Sequence, residues 1–112
     1  MEISEHKTMD IVTLSLCGKL DVNSARAFQD QILARIESGE RRIVIDLAQL
    51  DYISSAGLRV FVLAGKRLSG VNGKIALCSL KEPVREVFDI AGFSSLFSIY
   101  DSHDGATKAL QA

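Results

Sequence analysis

The sequence predicts an α/β fold, a mixed sheet of about four or five strands packed against three or four helices. Three observations carry that prediction. Apolar residues alternate with period two in "DIVTLSLCG". They run unbroken in "RRIVIDL" and "KIALCSL", and they recur at helical spacing in the segments between. A strand, a helix and a second buried strand in succession imply a parallel pair joined by a crossover. The element order is β, β, α, β, α, β, α, β, α.

The elements follow in chain order. "EISEHK" is a short partner strand turning at "TMD" into "DIVTLSLCG", where Val12, Leu14 and Leu16 alternate with Ile11, Thr13, Ser15 and Cys17, as in a half-buried strand. After "GKLDVN", Ala25, Phe28, Ile32 and Ile36 mark one face of an amphipathic helix, with Asn23 or Ser24 as N-cap and Gly39 at its far end. Ile43, Val44 and Ile45 read as a strand covered on both faces. "DLAQLDYISSAG" reads as the connection from that strand to a helix from about Ser55 to Ser69. The turn signal "GVNG" leads into "KIALCSL". "EPVREVFDIAG" is a further helix, with Pro83 in its first turn, Val84, Val87 and Phe88 inward and Gly92 as its stop. "LFSIY" is a short edge strand and "SHDGATKALQA" a weak terminal helix.

Length and composition narrow the function classes. A chain of 112 residues with 47% hydrophobic and 24% charged residues supports one domain over residues 1–112. Thirteen basic and 14 acidic residues give a net charge of -1, with no excess to grip a nucleic-acid backbone or an anionic bilayer. No apolar run has the length of a membrane span, and "MEISEHKTMD" lacks the pattern of a secretory signal, so a cytoplasmic location is expected. Cys17 and Cys78, without CxxC spacing, are read as buried reduced thiols. His6 and His103, in polar surroundings near the two ends, are read as solvent-facing, with no metal spacing between them. Asp21, Asp46 and Asp51 are placed at strand ends, in turn or capping roles rather than as a Mg²⁺ cluster. No glycine-rich nucleotide loop is present, and no cofactor is expected.

The stretch "DYISSAGLRVFVLAGKRL" is the unusual one, with two serines, an alanine and a glycine at the start of a helix. In open α/β sheets function gathers where strands end and helices begin, and a helix start offers open N–H groups and partial positive charge. Gly57, without Cβ, lets a bulky group come close. At 100° per residue Leu58, Phe61, Val62, Gly65 and Leu68 face the sheet, while Arg59, Val60, Leu63, Lys66 and Arg67 form an opposite face of mixed apolar and basic character, suited to an acidic or amphipathic partner. Two plainer readings stand beside these: a serine as N-cap only, and Val60 and Leu63 covered by a neighbouring helix. A serine nucleophile needs a base within reach, and neither histidine is near in sequence.

These residues resemble the STAS domain, of the bacterial anti-sigma factor antagonist type. "GKLDVNSA" resembles the segment before the family's first helix, "IVIDLAQLDYISSAGL" its signature strand, loop and helix start, and "EPVREVFDIAGF" its late helix. The resemblance implies a STAS-like single domain and a regulator rather than an enzyme. In its unphosphorylated form such an antagonist binds a serine kinase anti-sigma factor and so frees a sigma factor. Phosphorylation of a helix-start serine breaks the complex, and a metal-dependent serine phosphatase restores it. With Gly57 aligned to the glycine of the family's Asp-Ser-Ser/Thr-Gly motif, the phosphorylated serine falls on Ser55. Ser54 stands where the family has Asp and is a second candidate hydroxyl, and Ala56 replaces the following Ser/Thr. Asp21, Ser54, Ser55, Ala56, Gly57, Arg59, Val60, Leu63, Lys66 and Arg67 are the implied partner-binding residues. Direct nucleic-acid or membrane binding is not implied, and a monomer or weak dimer is expected. The alternative is a non-switching STAS scaffold subunit of a stress-sensing or lipid-transport assembly.

Overall fold

In a computed structural model, which describes residues 1–111, the elements run in the predicted order. They are β1 (Glu2–Thr8), β2 (Ile11–Leu20), α1 (Val22–Glu37), β3 (Arg42–Ile53), α2 (Ser55–Ser69), β4 (Lys74–Cys78), α3 (Glu82–Ile90), β5 (Ser98–Tyr100) and α4 (His103–Gln111), with one turn of 3-10 helix at Phe93–Ser95. The sheet has the order β1-β2-β3-β4-β5. Only β1 and β2 are antiparallel, joined by a tight turn in which Met9 takes a left-handed φ of 58°.

Helices α1, α2 and α3 cover one face, because the buried side chains of α1 (Phe28, Ile32), α2 (Phe61, Leu68) and α3 (Val84, Phe88) share a core with Leu14, Leu16, Ile43, Ile45 and Leu77. Phe61 is its centre, with ring centroids 5.2 Å from Phe28 and 5.5 Å from Phe88. Helix α4 covers part of the other face, burying Ala106 and Leu110 against Ile11, Val44, Ala76 and Cys78. Ile43, Val44 and Ile45 are therefore all fully buried, as their unbroken apolar run predicts.

The structure departs from the sequence reading at several points. Strand β2 is not half-buried at its start, since α4 also covers Ile11 and Thr13. That cover ends before Cys17, which is exposed, whereas Cys78 is buried. His103 does not face solvent: it is half-buried at the start of α4, with its Nε2 2.8 Å from the hydroxyl of buried Thr13. Helix α1 is capped by Asp21, not by Asn23 or Ser24. The Asp21 carboxylate accepts from the backbone N–H of Ser24, and the Ser24 hydroxyl accepts from the N–H of Asp21.

Strand β3 extends through most of the segment read as a connection and ends only at Ile53, so Asp46 lies inside it. There the β2–β3 register shifts after Ser15, and the Asp46 carboxylate accepts from the N–H of Ala48. On α2 the inward positions are Gly57, Leu58, Val60, Phe61, Ala64 and Leu68, while Val62 and Gly65 are only half-buried. Gly65 allows the ring of Phe97 to approach, rather than the sheet.

Candidate functional site

Parallel strands β2 and β3 end side by side, Leu20 opposite Ile53, so helices α1 and α2 start next to each other at the carboxyl edge of the sheet. The register continues one step past the strand, where the N–H of Ser54 donates to the carbonyl of Leu20 at 2.9 Å. Ser54 keeps an extended backbone (φ -93°, ψ 170°), which turns its hydroxyl back over the first helical turn. Its Oγ accepts from the N–H of Gly57 at 3.2 Å, and its carbonyl accepts from the N–H of Leu58 at 3.0 Å.

The two serines consequently differ. Ser54 is half-buried, with its hydroxyl engaged as the N-cap of α2. Ser55 is exposed, and among the described residues its hydroxyl has no hydrogen-bond partner. Of the four N–H groups a helix start leaves without intrahelical partners, that of Ser54 donates to the Leu20 carbonyl and that of Gly57 to the Ser54 hydroxyl, so those of Ser55 and Ala56 face the edge.

Gly57 is buried, not a surface contact. A Cβ built on it would lie 2.7 Å from Cγ of Leu20 and 3.1 Å from Cγ1 of Ile53, so the first turn of α2 rests directly on the last residues of β2 and β3. Asp21 holds the matching start of α1. Hydrogen bonds from the Ser24 backbone N–H and hydroxyl hold its carboxyl below the usual carboxylate range. Asp51 sits near the end of β3 and pairs with Lys81, at the N-cap of α3, at 2.6 Å. The three aspartates are thus separately engaged, and among the described residues no group of three or more His, Cys, Asp or Glu side chains is placed to hold a metal ion.

Beyond Ser55 the outer surface of α2 opens into a groove of about 860 Å³ between α1 and the 3-10 turn. Arg59, Val60, Leu63 and Lys66 line it, as the sequence places them on one face, together with Ala56 and with Val62, which the sequence reading turned toward the sheet. Val60 is only 3% exposed and forms the groove's floor, because α1 packs against α2 there. Arg67 is exposed but is not part of the groove. The sequence reading missed the opposite wall, Arg26 and Gln29 of α1 with Phe93 and Leu96. Leu96, 66% exposed, belongs to a segment read as edge strand, and its position beside α2 is set by tertiary packing. No helix among the described residues is long and apolar enough to cross a membrane.

Comparisons with known proteins agree with this geometry. The family model of the STAS domain matches residues 2–106. Over 111 residues the chain is 41% identical to BtrV of Bordetella bronchiseptica, a protein assigned to the anti-sigma factor antagonists, covering 99% of this chain and 96% of that one. The crystal structure of tm1081 from Thermotoga maritima, with the same assignment, superposes with a TM-score of 0.94 at 24% identity, covering 98% and 95% of the two chains. The anti-sigma factor antagonist SpoIIAA, at 20% identity, superposes with a TM-score of 0.88 in its unphosphorylated form (98% and 96% covered). The phosphorylated form of the Bacillus protein gives 0.78 (96% and 98% covered). At these identities the structural likenesses establish the fold. With its family model matched nearly end to end and a 41% identical relative of the same length, the chain belongs to the STAS domain family, among relatives that are anti-sigma factor antagonists.

Proposed function

We propose that this chain, acting as one STAS domain over its whole length, is a cytoplasmic anti-sigma factor antagonist switched by phosphorylation at Ser55. The unphosphorylated protein binds a serine kinase anti-sigma factor and releases the sigma factor that kinase holds. Phosphorylation of Ser55 breaks the complex, and a metal-dependent serine phosphatase resets it. The chain is a substrate and binding module, not an enzyme, and works as a monomer or weak dimer.

The observation that carries this reading is the division of labour between the paired serines. Ser54 spends its hydroxyl on the N–H of Gly57, while Ser55 presents a free hydroxyl at an exposed helix start. A phosphoserine brings about -1.5 to -2 charge to a position where open N–H groups and the helix dipole tolerate it. The penalty falls on the complex. A partner covering this edge must desolvate the dianion, at a cost of several kcal/mol and hence orders of magnitude in affinity. A hydrolytic serine is not supported, because His103, the half-buried histidine, is bonded to Thr13 beneath α4 on the other face of the sheet.

Binding of purified variants to a candidate serine kinase anti-sigma factor from the same organism, one that binds the wild type, tests the reading. Wild type and Ser54→Ala should bind, and Ser55→Glu should lose at least tenfold in affinity. Equal binding by Ser55→Glu would remove the switch and leave a constitutive scaffold.

A further inference from the structure

Building on the reading of Ser55 as the modified residue, we propose that Arg59 is the intramolecular counter-ion of the Ser55 phosphate, drawn to it out of the groove beside α2. Residues four apart on a helix lie one above the other, with Cβ atoms about 5–6 Å apart. Helical side chains lean toward the N-terminus, so the guanidinium of Arg59 is within reach of the turn that carries Ser55. Both residues are exposed. The planar fork of arginine matches two phosphate oxygens at once.

The other charged groups at this edge are already committed or lie on other elements. Lys81 is held by Asp51 at 2.6 Å, and Arg26 by Asp30 at 3.3 Å. Asp21 turns its carboxylate onto its own helix. Lys19 is exposed on β2, opposite Tyr52. Arg59 has no carboxylate within 4.0 Å among the described residues, so pairing with a phosphate breaks no existing ion pair. Arg59 is also one of three cations, with Arg26 and Lys66, lining a groove that contains no carboxylate. Its capture by the phosphate alters the groove one helical turn away from Ser55 with no change in backbone. An acidic element seated in the groove then loses a partner at the same moment that the helix start gains a dianion.

The test uses the full chain with phosphoserine genetically encoded at position 55, titrated by ³¹P NMR. A cation beside the phosphate favours the dianion and lowers its second pKa, so Arg59→Gln should raise that value by about 0.3 pH units, the size expected of an exposed i,i+4 pair. Arg59→Lys should recover part of the shift. Arg67→Gln, two turns further along α2, should leave the titration in place and so controls for net charge. Identical titration of wild type and Arg59→Gln overturns the proposal, as does a larger shift from Lys19→Gln or Lys81→Gln. Because the phosphate is installed, the result is independent of whether cells modify Ser55, which mass spectrometry of the native protein decides separately.

Discussion

Replacing Gly57 by alanine probes the contact on which the Ser55 helix start rests. In most helices Gly→Ala stabilises, by up to about 1 kcal/mol. Here the added methyl would stand 2.7 Å from Cγ and 2.8 Å from Cδ2 of Leu20, and 3.1 Å from Cγ1 of Ile53. Leu20 is fully buried, and its Cγ is the branch point next to Cβ, so it cannot swing aside as a chain end would. Either α2 lifts at its first turn or the Leu20 side chain leaves its rotamer. Such overpacking costs about 1–3 kcal/mol, which exceeds the propensity gain. The net loss should be about 1 kcal/mol, or roughly 5 °C in Tm for a chain of this size. Gly65→Ala is the internal control. Its methyl meets only the Phe97 ring, at 3.4 Å and beyond, so the propensity gain survives and Tm should hold or rise. Thermal unfolding followed by circular dichroism reads both variants. A Gly57→Ala protein as stable as wild type would refute the account of how β2 and β3 set the start of α2.

Two further predictions concern titrating and reactive groups. The Asp21 carboxyl is held below its ordinary value of 3.8 by its bonds from Ser24, so its cap is fully present above that value and is lost as pH falls through the lower folded pKa. An NMR titration of Asp21 should show the depressed value in wild type and a rise toward normal in Ser24→Ala. Cys17 and Cys78 should separate completely in a thiol-labelling assay. Exposed Cys17 should react in the folded protein. Cys78, whose thiol is pushed up to about 11 chiefly by burial and further by the nearby Asp46 carboxylate, should label only on unfolding.

Helix α2 was legible in the sequence because its start and stop are local: a serine cap before an apolar repeat, and Gly70 just past Ser69. The long reach of β3 was not. Asp46, Gln49, Asp51 and Tyr52 interrupt its apolar run, and only pairing with β2 along its whole length makes one strand of residues 42–53. Cys17 was misplaced for a related reason, since alternation along β2 cannot say how far α4 extends over the second face. At the site, the choice of Ser55 over Ser54 came from motif register, and the structure adds a physical distinction between the two hydroxyls. The cover over Val60 was one of two readings the sequence left open, and the far wall of the groove was beyond reach. Both depend on α1 and the 3-10 turn lying against α2, a tertiary arrangement with no periodic trace in the sequence.

The central claim is that chemistry done elsewhere lands on Ser55. Peptide mass spectrometry of the protein purified from its native cells under phosphatase inhibition tests it most directly. A phosphate on Ser55, with Ser54 unmodified in the same peptide, is the predicted result. Phosphate on Ser54 instead, or on neither serine under any growth condition, would contradict it.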